Sequence, residues 1–158
     1  HLGESRGYLE QAHSMRRVVL VLVAFVALAG CREVRVNQVR TGTTVAAGGT
    51  QVIVLRDKRT LEGLGISAEV NFRKEFAVIL LMGPHRESGY VQIIESIRAN
   101  ADRVRIVAFE RAPIDGGEPA AAYRTYTMWF VPNIAYRPGS HVDVVTPSGD
   151  PITATTVR

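Results

Sequence analysis

The sequence predicts an all-β protein, an antiparallel β-sandwich or partly open barrel with one short helix, preceded by an N-terminal signal helix. Three observations carry that expectation. Short runs rich in Val, Ile, Thr and aromatic residues recur from Val34 to Thr146, separated by Gly, Pro, Asn and Asp clusters. Their period is mostly two, as in Arg103-Val104-Arg105-Ile106, the pattern of a strand with one wet face. A single stretch, Asp57 to Leu64, has helical leanings, and the longest apolar block, Val18 to Ala29, stands apart at the front of the chain.

Taken in order, Met15-Arg16-Arg17 is a basic start, Val18 to Leu28 an apolar h-region and Leu28-Ala29-Gly30-Cys31 a small-residue cleavage site. The apolar run falls short of the roughly 20 residues that a spanning helix needs, so export and cleavage explain it better than a transmembrane anchor. Residues 1–14 place charge ahead of the n-region and read as an upstream extension or a mis-set start. After Cys31, Val34 and Val36 alternate with Arg35 and Asn37, and Val52 to Leu55 follows the Gly48-Gly49 turn signal. Asp57 is placed as an N-cap, with Leu61 and Leu64 three apart on a helix of two turns at most. The run Phe76 to Met82 is apolar on both faces and bounded by loop signals at Asn71 to Glu75 and Gly83-Pro84, as a central strand covered on both sides would be. Further strands are expected at Tyr90 to Ile97, Val104 to Phe109, Thr125 to Val131 and Val142 to Thr146, at hairpin-like spacing.

Of the 158 residues, about 128 remain after the signal, enough for one modest core and too few for two. The net charge is +4 over the whole chain, and Arg and Lys are scattered over the strands instead of gathered in one stripe. That distribution argues against nucleic acid as a partner. With a single cysteine in the sequence no intrachain disulfide can form, so the position of Cys31 has to explain it.

Leu28-Ala29-Gly30-Cys31 resembles the lipobox of bacterial lipoproteins. The resemblance implies cleavage after Gly30 and a covalent lipid on the Cys31 thiol, with no other cofactor. It also implies a membrane partner held through acyl chains and a location in the cell envelope, on the periplasmic side or at the cell surface. Two or three acyl chains at about 0.8 kcal/mol per buried methylene make such an anchor effectively permanent.

A second resemblance runs from Leu61 to Asn133. The short helical segment Thr60-Leu61-Glu62-Gly63-Leu64, the lead Asn71-Phe72-Arg73-Lys74 into an apolar strand, Gly83 closing that strand, and Ser88-Gly89-Tyr90 opening the next resemble the C-terminal domain of PrcB-type lipoproteins. Phe109-Glu110-Arg111-Ala112-Pro113, a Gly/Pro loop at Gly116 to Pro119 and a last aromatic strand ending Phe130-Val131-Pro132-Asn133 continue it. In the family the turn usually reads Thr-Gly-Gly-Tyr, where this chain has Glu87-Ser88-Gly89-Tyr90. The resemblance implies a lipid-anchored accessory protein, not an enzyme, that binds and stabilises an extracytoplasmic protease. It divides the chain into a signal peptide over 15–30, N-terminal strands over 31–57, a PrcB-like β domain over 58–146 and a C-terminal tail over 147–158.

The residues open to a functional role are few. His85, Arg86, Glu87, Ser88, Gly89 and Tyr90 are expected to form a projecting partner-binding loop, although Gly89 and Tyr90 also suit an ordinary turn followed by a sheet-surface ring. Chagasin-type inhibitors of cysteine proteases carry Thr-Gly-Tyr, Gly-Gly and Arg-Pro-Trp segments on three loops at one end of a sandwich. This chain offers Ser88-Gly89-Tyr90, Gly116-Gly117 and Arg137-Pro138 in that order, with Gly139 where the tryptophan would stand. Such an inhibitor, or a structural or small-ligand-binding envelope lipoprotein, is the alternative function. No Gly-x-Ser-x-Gly elbow is present, and His85 and His141 lack the spacing of a zinc site, so neither catalytic nor metal-ligating residues are assigned. In the last aromatic run, Tyr126, Met128 and Phe130 share one face and Thr127, Trp129 and Val131 the other, which leaves Trp129 as a candidate interface anchor.

Overall fold

The computed structural model describes residues 37–100 and 102–158. The signal segment, Leu28-Ala29-Gly30 and Cys31 lie outside the described residues, as do Val34 and Val36. Eight strands and one short helix follow in the order β1 (Asn37–Thr44), β2 (Gln51–Leu55), α1 (Lys58–Gly63), β3 (Glu75–Glu87), β4 (Val91–Ala99), β5 (Arg103–Arg111), β6 (Pro119–Pro132), β7 (His141–Val145) and β8 (Pro151–Thr156). They make two four-stranded sheets, β1-β6-β3-β2 and β4-β5-β7-β8, so the all-β sandwich with one short helix is the fold of this part of the chain.

The first sheet is antiparallel throughout. The second is antiparallel except where β5 and β7 run parallel, with Arg103 beside His141 and Val107 beside Val145. That pair departs from the expected all-antiparallel arrangement, because β6 leaves for the opposite sheet between β5 and β7 and the chain returns in the same direction.

Alternation along β3 explains the layers. Phe76, Val78, Leu80 and Met82 point into the space between the sheets, where they meet Val104, Ile106, Ala108, Val142 and Val144. Ala77, Ile79 and Leu81 point the other way and are covered by Leu61 of α1, Ile66 and the partly buried Leu64, Ala68 and Val70. A strand apolar on both faces is therefore buried on both, one face by a sheet and the other by a helix and loop. The helix starts where the sequence places it: the Asp57 carboxylate accepts from the Thr60 backbone N–H at 2.8 Å, and Leu61 is its buried residue.

Three expectations are corrected. The stretch read as a C-terminal tail contains β8, which pairs with β7 from Thr156 at His141 to Pro151 at Val145. Its Pro151 is tolerated because it is the first residue of an edge strand, where no ladder donor is required. Gly83 does not close β3: the strand bulges between Met82 and His85 and continues to Glu87, paired with β6 at Tyr123 and Pro119. Trp129 is not exposed; at 1% accessibility it lies in the inter-sheet core beside Val131, because the other face of β6, with Met128 and Phe130, is buried as well under α1 and its loop.

Candidate interaction site at the β3–β4 corner

His85 to Tyr90 leave one sheet and enter the other. His85, Arg86 and Glu87 belong to the end of β3, Ser88 and Gly89 make the turn, and Tyr90 leads into β4. The segment expected as a projecting loop is thus half strand, since pairing with β6 holds its first three residues in extended backbone. Gly83 permits this with φ at 126°, and a Cβ there would come within 3.1 Å of the Tyr123 carbonyl oxygen.

The His85 ring turns inward. It stacks on Tyr90 with centroids 3.9 Å apart and planes 10° from parallel, and Tyr123 stands tilted at 5.7 Å. Its Nε2 lies 2.9 Å from Glu110 Oε1, a bond in which the imidazole N–H donates to the carboxyl oxygen. Thr125 Oγ1 donates to the same Glu110 oxygen at 2.5 Å, and Gln92 Nε2 donates to Thr125 Oγ1 at 3.4 Å and to the Leu80 carbonyl at 3.3 Å. These residues come from β3, β4, β5 and β6, so a polar cluster ties the two sheets together where the apolar core ends. The side chains of His85 and Glu110 are 12% and 14% exposed, shielded enough for the pair to count as more than a surface contact. Glu110 Oε1 thus receives both the Thr125 hydroxyl and the His85 imidazole, which joins β3, β5 and β6 at this corner.

The turn is locked from outside by the β5–β6 connection. The Ser88 backbone N–H donates to the Glu118 carbonyl at 2.9 Å, and the Glu118 N–H donates back to Ser88 Oγ at 3.2 Å. Tyr123 reaches over with its hydroxyl donating to the Glu87 carbonyl at 2.7 Å. Gly89 has φ at 96°, and a Cβ on it would meet Pro113 at 3.0 Å; a Cβ on Gly117 would overlap Ser88 O. Directly after Pro113, which lies against Gly89, Ile114 projects with 93% of its surface exposed, and Arg86 and Glu87 are exposed as well.

The expected binding segment therefore divides: Arg86, Glu87 and Ser88 face solvent, whereas His85 and Tyr90 are half-buried and shape the corner. Of the three inhibitor-like segments, Ser88-Gly89 and Gly116-Gly117 meet here. Arg137-Pro138 lies elsewhere, because β6 runs from Pro119 beside Glu87 to Pro132 beside Glu75, and the chain reaches Arg137 only after that far end. The three do not form one edge. His141 is exposed at the start of β7, opposite Arg103.

Glu110, Thr125 and Ile114 are the members that sequence reasoning missed. Ile114 had a signal: a bare aliphatic side chain between Pro113 and Asp115-Gly116 has no strand to bury it. Glu110 and Thr125 had none, being 25 and 40 residues from His85. Among the described residues no group of three or more His, Cys, Asp or Glu side chains is placed to hold a metal ion, and no helix is long and apolar enough to cross a membrane. Comparison with family models, with curated proteins and with solved structures finds no match.

Proposed function

We propose that this chain is a lipid-anchored accessory protein of the cell envelope that acts by contact, binding and stabilising a protein partner, an extracytoplasmic protease in the first instance. Two features of the sequence support the envelope location and the anchor: the basic start and apolar run from Met15 to Leu28, and Leu28-Ala29-Gly30-Cys31 with its thiol at the lipobox position. The order of motifs from Leu61 to Asn133, which resembles PrcB-type lipoproteins, supports the kind of partner.

The observation that carries the contact role is the reciprocal bond between Ser88 and Glu118. It fixes two loops against each other before any partner arrives, so little conformational entropy remains to be lost on binding. What this fixed corner presents outward is Ile114 as an apolar anchor and Arg86 and Glu87 as a polar rim, the composition of a small protein-binding patch.

The reading is tested by site-specific photocrosslinking from Arg86 in intact cells. A single protease captured in quantity, co-purifying with the chain and shorter-lived when the chain is deleted, is the expected result. Ile114→Asp should abolish capture while leaving the folded domain intact. Absence of specific capture from this corner removes the proposal, and capture of a papain-like enzyme that is inhibited would replace it with the inhibitor alternative.

A further inference from the structure

The two sheets differ in what lies outside them. The outer face of the first is covered by α1 and the loop after it. The outer face of the second stays open at Val91 and Phe109, which are 44% and 36% exposed. Alternation decides which residues share that face: Val104, Ile106 and Ala108 of β5 enter the core, so Arg103, Arg105, Val107, Phe109 and Arg111 point outward. Cross-strand pairing sets Ile93 beside Phe109, Val91 beside Arg111 and Arg98 beside Arg105.

The result is an apolar strip bordered by guanidinium groups. Arg98, Arg103, Arg105 and Arg111 are all exposed. The acidic groups nearby are Asp143, which bonds Arg103 at 3.0 Å, Asp102 next to Arg103 in the chain, Glu95 on the bulge between Ile94 and Ser96, and Asp150, whose neighbour Gly149 lies against Arg105. Four exposed guanidinium groups, one of them paired with Asp143, beside Val and Phe side chains fit a surface whose outer layer is anionic and whose next layer is hydrocarbon.

We propose that this outer face of the second sheet docks on an anionic phospholipid surface, with Val91 and Phe109 entering the headgroup layer and the arginines meeting the phosphates. The proposal rests on the envelope-anchor reading. Five residues, Arg32 to Val36, separate Cys31 from the start of β1, and fully extended they span about 18 Å. A domain on so short a tether meets the bilayer continually, and charge complementarity selects which face it turns inward.

The test uses the full chain carrying Phe109→Trp, reconstituted in vesicles either of phosphatidylcholine alone or with about 30% phosphatidylglycerol. The native Trp129 is buried at 1% exposure, so the new indole dominates quenching by the neutral quencher acrylamide. Accessible quenching should fall about threefold in the anionic vesicles and recover at about 0.5 M salt, where screening shortens the range of the arginine charges. Adding Arg105→Glu and Arg98→Glu should also restore it. Val91→Trp reports on the same face where Phe109→Trp disturbs the sheet. Equal quenching in the two vesicles, or protection that survives the arginine reversals, overturns the proposal. In the test the chain is coupled through the Cys31 thiol to a maleimide lipid in the vesicle, which holds it there whether or not Cys31 is acylated in the cell. Failure here is therefore separate from failure of the anchor reading, which fatty-acid labelling of Cys31 decides.

Discussion

The His85 and Tyr90 rings, the two ends of the β3–β4 corner, lie face to face with centroids 3.9 Å apart. Between them the chain crosses from one sheet to the other, so the stack closes the crossing as a clasp. Because an aromatic pair contributes about 0.5–1.5 kcal/mol beyond the area it buries, Tyr90→Leu should lower unfolding free energy by about 1 kcal/mol while Tyr90→Phe leaves it nearly unchanged. Urea denaturation of the three proteins checks this. The same loss in Tyr90→Phe would mean that the hydroxyl, not the ring, matters.

Gly116 and Gly117 adjoin in sequence and differ in what they require. Gly116 has φ at 74° with nothing within 4 Å of a Cβ, so Gly116→Ala bears only the left-handed backbone cost of about 1 kcal/mol. At Gly117 a methyl group would overlap Ser88 O and come within 2.9 Å of Ser88 N, both backbone atoms that cannot swing aside. Gly117→Ala should therefore cost about 1–3 kcal/mol and break the Ser88–Glu118 pairing. Hydrogen exchange at the Ser88 amide is the readout: fast in Gly117→Ala, still protected in Gly116→Ala.

Arg124 is buried to 1% exposure, and among the described residues its hydrogen bonds go to backbone carbonyls and to no acidic group. Its Nε, Nη2 and Nη1 donate to the carbonyls of Ala46, Ala47 and Gly49, each at 3.0 Å, so one guanidinium gathers the β1–β2 loop. Desolvation pushes its pKa down from the ordinary arginine value, yet an arginine side chain does not lose its proton in a protein. Lysine cannot reproduce the planar fork, so Arg124→Lys should cost about 2 kcal/mol and open the loop. Limited proteolysis across 45–50 should quicken severalfold relative to the unaltered protein.

What could be read from the sequence follows from which contacts are local. Asp57, Thr60 and Leu61 lie within one turn of each other, and the helix they specify is present. The two-sided run Phe76 to Met82 announces a central strand by itself. Trp129 shows the limit: alternation along β6 defines two faces, but only the fold of residues 58–70 across the first sheet reveals that both are covered. β8 is short, Thr-rich and at an edge, and its strand character depends on β7 lying alongside. The His85–Glu110–Thr125 cluster is assembled wholly by register between strands distant in sequence, so no local pattern could display it.

Tyr136 links the fold to pH. Its ring packs at 5.9 Å from Phe76 in the inter-sheet core, and burial pushes its pKa up to about 12. In the unfolded chain a tyrosine ionises near pH 10, so below about pH 10 both states hold the proton and the full stability is present. Between about pH 10 and 12 the unfolded state loses the proton first, and stability falls by up to roughly 2 kcal/mol as pH rises through the folded value. Tyr136→Phe removes the group and with it this part of the slope. The difference in urea midpoint between the native and Tyr136→Phe proteins should therefore move in favour of Phe as pH goes from 9 to 11.5, whatever the other tyrosines contribute to both. A difference that stays constant over that range would show that the Tyr136 hydroxyl reaches water in the folded protein.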